Sequence, residues 1–549
     1  MIDALSAMAV APAAVSAPDE PLLDVDDIQG NSIAGFMKPV QGVIALSFGP
    51  LDGARAWLRD MAPALTTLAG VMPSRLKVRQ ERLAQGVTAG HTQAAAELDD
   101  VWVNLGVSFQ GLTKLLGDDP QHAGDLTEFT DEAFTQGLLC RSALLGDPVD
   151  PAAEGHPDHW VVGGPDTVPD VLIVVGADRP ERMADTLQGL AAAASDLGLA
   201  VLYSEQGGKL DAAGSEQFGF RDGVSQPGPR GRLDDGTYLT PRTIDPSVEE
   251  SVQFGLPGQY LVWPGEFVFG YPAAGADPLV AGPVSSAGPG WSRNGSYLVF
   301  RRLRQDVAAF RSFVEDQAAA VAREPGFEHM TPALLEAQIF GRWPSGAPVA
   351  RTPTADDPAL GGDPLANNHF GFAAASQALP LAGGGTTNTY PQAPSDPIGL
   401  GCPLAAHIRK VNTRDAGSDQ GGKRASYDRR LLRRGLPFGP VLPPDGPDPV
   451  DGDRGLLFLS YQTSIRDQFE FLNTSWMGDP TNPRAPSGHD LPIGQNAQPG
   501  EDRVRTATLL SPTATSCTVT ATAQFVIPTG GGYFFSPSIS AITQVLAAG

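Results

Sequence analysis

With 549 residues, the chain is long enough for two large domains or three to four small ones, each with a core of its own. Asp and Glu number 62 against 38 Lys and Arg, and the net charge of −24 repels phosphate polyanions, which excludes nucleic acid as a partner. A composition 41% hydrophobic and 18% charged excludes general disorder, and no apolar run approaches the roughly 18 residues of a membrane span, so no membrane partner is expected.

In chain order, Ala4–Ala17 is small and apolar but flanked only by Asp3, whereas a secretory signal needs a basic start. Residues 1–21 therefore read as a disordered tail. Gly42–Phe48 predicts a strand, Leu51–Leu68 an amphipathic helix, Val101–Leu105 a strand and Phe109–Leu116 a helix. Asp170–Val175 predicts a buried strand, Pro180–Leu197 a helix and Ala200–Ser204 another strand, which suggests the order β-α-β-β-α-β. A similar round follows: strand Gly295–Arg301, helix Val307–Val321, strand Gly455–Tyr461 and helix Ser464–Asn473. Strands at Cys517–Val526 and Gly532–Ser536 precede a last short helix. Residues 506–549 contain no charged side chain, too long a stretch for a solvated tail, so they should be buried. The Pro/Gly-rich segment Pro227–Gly258 separates the rounds, giving domains over 22–240 and 250–549. Long loops at 344–403, 436–455 and 478–500 are expected to be lids or binding loops. Cys140, Cys402 and Cys517 are too few for a disulfide framework and lack zinc spacing, which points to the reducing cytoplasm.

Three motifs could carry chemistry. Gly219-Phe220-Arg221-Asp222-Gly223 taken alone is a turn, with glycines supplying positive φ. Alternatively, the glycines let backbone approach a flat ligand while Asp222 faces it. In Cys402–Arg414, His407 is followed by Arg409, Lys410 and Arg414, an unusual basic density for so acidic a chain. An imidazole for a metal, with cations for anionic groups, is what a haem with two propionates requires; the alternative is a solvated basic face. In Tyr427–Gly439, Arg433 stands among four arginines that could also be an exposed helix end.

Together the three resemble the dye-decolourising peroxidases. They match the family's Gly-x-x-Asp-Gly, the His of His-Ile-Arg-Lys-x-Asn-x-Arg and the Arg of Leu-Arg-Arg-Gly-x-Pro. Asp27-Ile28-Gln29-Gly30-Asn31, Gly341-Arg342-Trp343-Pro344-Ser345-Gly346, Ser460–Ile465 and Tyr533–Ser538 fit as well, so the landmarks span about residues 26–540 in order. The length and the long loops look most like the larger members of the family.

The resemblance implies an α+β fold of two ferredoxin-like domains of the dimeric α+β barrel type, with one haem b per chain held mainly by the second. It makes His407 the proximal iron ligand and puts Asp222 and Arg433 on the distal face as catalytic residues. Gly219, Phe220 and Gly223 would lie against the cofactor. The strand Leu456–Leu459 would offer alternate side chains to the distal pocket, with Leu457 and Leu459 favoured. Asp490 would take the second N–H of the proximal imidazole, and Arg409 and Arg414 would meet the propionates.

The implied activity is reduction of hydrogen peroxide coupled to one-electron oxidation of phenols, aromatic amines or dyes, with small aromatic reductants as partners. A haem carrier or another haem enzyme on the same scaffold is the alternative, although a carrier needs only the His. A homodimer is one assembly the resemblance allows. The net charge favours cationic donors over anionic dyes at low ionic strength. Two positions depart from the family. Phe438 stands where some members carry a Tyr able to relay an electron, leaving Tyr427 and Tyr461 as substitutes, and His369 falls where relatives often have Asp.

Overall fold

The computed structural model of the chain describes residues 18–85, 98–422, 425–443, 452–495 and 503–548. Most of the expected tail, residues 1–17, lies outside that range, but its inner end is anchored rather than disordered. Glu20 is 3% exposed, pairs with Arg230 at 2.8 Å and with Arg242, and accepts the Gly231 N–H at 2.8 Å.

The first half contains β1 (Val40–Ser47), α1 (Leu51–Met61), α2 (Leu68–Gln85), β2 (Val101–Val107), α3 (Phe109–Leu116) and α4 (Glu132–Arg141). It closes with β3 (Val171–Ala177), α5 (Pro180–Asp196) and β4 (Ala200–Gly208). The strands are antiparallel in the order β4-β1-β3-β2, the ferredoxin-like arrangement expected from β-α-β-β-α-β. The helix predicted over Leu51–Leu68 stops at Met61. A single 3₁₀ turn carrying Pro63 follows, because proline fits a first helical turn but not a helix interior, and α2 then starts afresh.

The second half contains β5 (Ser296–Gln305), α6 (Val307–Val321), α7 (Pro332–Phe340), the four-residue α8 (His407–Lys410), β6 (Leu432–Arg433) and β7 (Leu436–Phe438). It continues with β8 (Gly455–Gln462), the hairpin β9 (Arg505–Leu510) and β10 (Ser516–Ala521), and β11 (Val526–Ser536). Its strands repeat the first order as β11-β5-β8-β6, with β7 also on β8. The helix expected at Ser464–Asn473 is present as two π-helical segments, Ile465–Glu470 and Leu472–Met477. Of the uncharged end, β11 is buried throughout. The hairpin turns alternate Ser and Thr side chains outward, since hydroxyls can face water without charge.

The two sheets are one. Phe535 of β11 pairs with Val107 of β2, and at the far end β4 comes up against β7. There a Cβ on Gly207 would sit 2.3 Å from the Pro437 carbonyl oxygen, so only glycine permits the approach. Arg302 of β5 ties this seam by donating to Glu205 of β4 at 2.8 and 3.0 Å. The curled sheet has an inner and an outer face, and the alternation of β3 divides its residues between two cores. Val171, Ile173 and Val175 pack outward with residues of α1, α3 and α4, while Leu172 and Val174 pack inward with Val43, Leu298 and Phe534.

Candidate active site

A cavity of about 300 Å³ lies on the outer face of the second half's sheet. Its floor is set by the register of β8 on β5, where Leu456 stands opposite Leu303 and Phe458 opposite Arg301, and all four line it. Leu457 and Leu459, favoured for this role from the sequence, are fully buried on the other face, in the inner core. Side chains alternate along a strand, so a one-residue difference in phase exchanges the whole set.

One wall is the loop carrying Asp222. The Glu216 carboxylate accepts the Phe218 and Phe220 N–H groups at 3.0 Å each, and Gly219 (φ 96°) turns the chain in the left-handed region. Phe220 lines the cavity with its ring 4.1 Å from that of Phe340 at the end of α7, and Gly223 lines it too. Gly219 does not line it. Asp222 Oδ1 accepts from the Gly223 N–H at 2.6 Å and from Arg433 Nη1 at 2.8 Å. Arg433 also donates to the Ser225 carbonyl at 3.3 Å, and the Gln226 amide bonds both the N–H and the C=O of Arg433, at 3.3 and 3.1 Å. Burial pushes the Asp222 carboxyl up, but the Arg433 charge and the Gly223 N–H outweigh it and hold the group below the usual aspartate range. Glu216 lacks such a cation, and burial raises it to about 7 against its N–H donors.

Another wall carries His407, the first residue of α8. Its Nδ1 lies 2.7 Å from Asp490 Oδ2, and Asp490, fully buried, accepts the Ile493 N–H at 3.2 Å through its other oxygen. With Nδ1 engaged, Nε2 is the ring nitrogen left for a ligand. Lys410 holds the Asp490 loop against α8 by donating to the carbonyls of Asp479 and Gly488 at 2.7 Å each.

The expected cations divide. Arg414 lines the cavity, its Nη groups donating to Asn368 and Phe370 and its Nε buried without a partner. Arg409 does not line it. That guanidinium lies on the Phe372 ring and donates to Asp396 and to the Cys402 carbonyl. Two positions along a helical turn rotate a side chain by about 200°, so Arg409 points away from where His407 points. Arg430, not singled out from the sequence, lines the cavity and also has a buried Nε without a partner. Arg301 and Arg429 line it with a buried Nε lacking a hydrogen-bond partner as well, so four such donors among the described residues fit an anionic, flat ligand such as a haem with its propionates. The charge density of the motif signalled cations, but nothing in the spacing distinguished Arg430 from its neighbours.

None of the aromatic positions weighed as electron relays reaches the surface. Phe438 is 2% exposed beneath the Arg302 guanidinium, Tyr427 is buried, and the buried Tyr461 hydroxyl accepts from Asn31 at 3.2 Å. His369 is buried too, and desolvation with the charges of Arg351 and Arg414 holds it down to about 4, so it is neutral at neutral pH.

No family model matches the chain. Peroxidase 2 of Mycetinis scorodonius is 30% identical over 541 residues, which cover 96% of this chain and 88% of the relative. A dye-decolourising peroxidase of Auricularia auricula-judae is 30% identical over 545 residues, covering 96% and 87%. Among solved structures, an ancestral D-type dye-decolourising peroxidase superposes with a TM-score of 0.72 at 30% identity, covering 96% of this chain and all of its own. A dye-decolourising peroxidase in complex with 2,6-dimethoxyphenol gives 0.68 at 26% identity, with coverages of 96% and 100%.

Proposed function

Because the chain belongs to the dye-decolourising peroxidase family, we propose that the cavity holding His407, Asp222 and Arg433 is where it performs a haem peroxidase reaction. The observation that carries the reading is one cavity with a carboxylate-backed imidazole in one wall and an ion-paired Asp in another.

His407 would bind the iron of one haem b per chain through Nε2. Asp490 would accept the Nδ1 proton, which fixes the tautomer and makes the ligand more basic. Arg414 and Arg430 would meet the propionates with their unsatisfied Nε donors, and Leu456, Phe458 and Phe220 would pack against the ring. When bound, the haem supplies the redox chemistry, accepting two oxidising equivalents from hydrogen peroxide and delivering them singly to an organic donor. Asp222 keeps Oδ2 clear of hydrogen bonds among the described residues. That oxygen would take a proton from hydrogen peroxide and return it to the oxygen leaving as water. The Arg433 guanidinium would stabilise the charge on the leaving oxygen and keep Asp222 ionised. Small phenols are the donors we favour, and the complex of a similar protein with 2,6-dimethoxyphenol supports that choice.

The test is haem retention. His407→Ala should lose the Soret band, while His369→Ala should keep it. A five-coordinate ferric spectrum surviving in the His407 variant would overturn the proximal assignment.

A further inference from the structure

A second and larger cavity, of about 960 Å³, opens at the seam where β4 faces β7. Gly223, Val224, Gln226 and Pro227 line both cavities, so the two lie back to back across the segment that follows Asp222. In a chain of net charge −24, this second cavity is walled by cations. α2 presents Arg75, Arg79 and Arg82 to it, at the spacing that stacks side chains on one helix face. Lys209 joins them from the end of β4 and Arg434 from the end of β6. Strand alternation explains the last: Arg433 faces the first cavity, so its neighbour Arg434 faces the second.

Among the described residues, none of these five side chains is ion-paired to a carboxylate of the lining. The carboxylates in the lining are Asp178 and Asp211, and both are engaged. Asp178 pairs with Lys38 at 2.6 Å, and Asp211 accepts the N–H groups of Gly214 and Ser215 at 2.7 and 3.0 Å. Arg82 Nε is buried with no partner among the described residues. Burial and the charges of neighbouring arginines lower Arg75 and bring Arg79 down to about 10, which is the cost of crowding cations without an anion. The rest of the wall is largely apolar, Val78 and Leu83 among it.

We propose that this seam cavity binds an organic dianion: a small molecule with two acidic groups on an apolar body. Arg75 and Arg82 are seven residues apart, about 10 Å along the helix, so two separated acidic groups match the wall better than one. The ligand would contact Arg434, whose Nη1 donates to the Arg433 carbonyl at 3.2 Å. The site needs no haem, so its failure and that of the peroxidase reading are separable.

The experiment is calorimetric titration of the full-length protein without peroxide. The probes are naphthalene-1,5-disulfonate, inorganic pyrophosphate and uncharged 1,5-dihydroxynaphthalene. The disulfonate should bind one to one, at least about tenfold tighter than either of the others. Arg82→Gln and Lys209→Gln should each weaken it by about fivefold or more, and Arg82→Lys, which keeps the charge, by less than about threefold. His407→Ala should bind it as the wild type does. Absence of saturable binding of the disulfonate below about 1 mM would overturn the proposal, as would Gln variants that bind like the wild type. Pyrophosphate binding as tightly as the disulfonate would overturn the apolar half of the ligand's description.

Discussion

The Asp222 carboxylate stands between opposing effects. Burial favours its neutral form, and the Arg433 guanidinium at 2.8 Å, with the Gly223 N–H, favours the ionised one. The ionised form wins, so a proton acceptor stays available down into mildly acidic solution. Removing the cation takes away the largest effect that opposes desolvation and leaves the Gly223 N–H against it, so the carboxyl should rise from its wild-type position. Arg433→Leu should therefore move the acid limb of the peroxide reaction to higher pH and slow the reaction at least about tenfold. Stopped-flow mixing with peroxide between about pH 3 and 7 would read both effects. An acid limb that stays where it is in the wild type would separate Asp222 from the proton transfer.

At the scale of the element, β8 carries two functions on its two faces. Leu457, fully buried in the inner core, supports the fold, and Leu457→Ala should cost about 2–5 kcal/mol in urea unfolding while leaving the Soret band in place. Phe458 lines the cavity, so Phe458→Ala should shift the Soret band at a smaller cost in stability. Equal effects of the two variants on the spectrum would contradict the strand phase.

The short strand β7 holds Phe438 under Arg302, with its main-chain carbonyl bonded to the Gln217 amide at 2.7 Å. Phe438 is only 2% exposed, so a hydroxyl added there stays largely out of bulk solvent. Phe438→Tyr should leave the ratio of turnover with a bulky dye to turnover with a small phenol within about twofold, because a buried phenol relays nothing to the surface. Steady-state rates with one donor of each kind at equal peroxide would check this, and a selective gain with the dye would refute it.

Across the whole molecule, the two ferredoxin-like repeats meet twice, β11 against β2 and β4 against β7. One junction is hydrogen-bonded through Phe535 and Val107, and the other is a close approach bridged by Arg302 and Glu205. Acid groups buried in such a body make its stability depend on pH. Glu266 is 6% exposed and accepts the Ala274 N–H at 2.8 Å, yet burial, helped by Asp428, raises it from 4.5 to about 7. A raised carboxyl favours the folded state below its unfolded pKa, and that contribution is lost as pH rises through the folded value, here between 4.5 and about 7. Glu266→Gln keeps an acceptor and removes the charge. It should be more stable than the wild type at pH 8 by about 1–3 kcal/mol, with the difference shrinking toward pH 4.5. Urea unfolding at both pH values would measure it, and a difference independent of pH would show that the charge is not the cause.

The sequence by itself determined the main strands and the helices that follow β1, β2, β3 and β5, because hydrophobic periodicity acts over a few residues, whereas the break at Pro63 and the helices α2, α4 and α7 were not read from it. It also determined the motifs, because Asp222, His407, Arg433 and Asp490 each stand in short patterns that read without a fold. The face of β8 was not legible. Leu456, Leu457, Phe458 and Leu459 are all apolar, as on any strand covered on both sides, so no alternation marks which pair faces the cavity. Nor was the direction of each arginine, since Arg409 and Arg430 differ in what surrounds them rather than in their own chemistry. The seam cavity lay furthest from view. Arg82, Lys209 and Arg434 come from segments more than a hundred residues apart, and only the curl of the sheet brings their charges to one wall. Local pattern carries local structure, whereas burial, phase and charge crowding depend on neighbours that only the closed fold supplies.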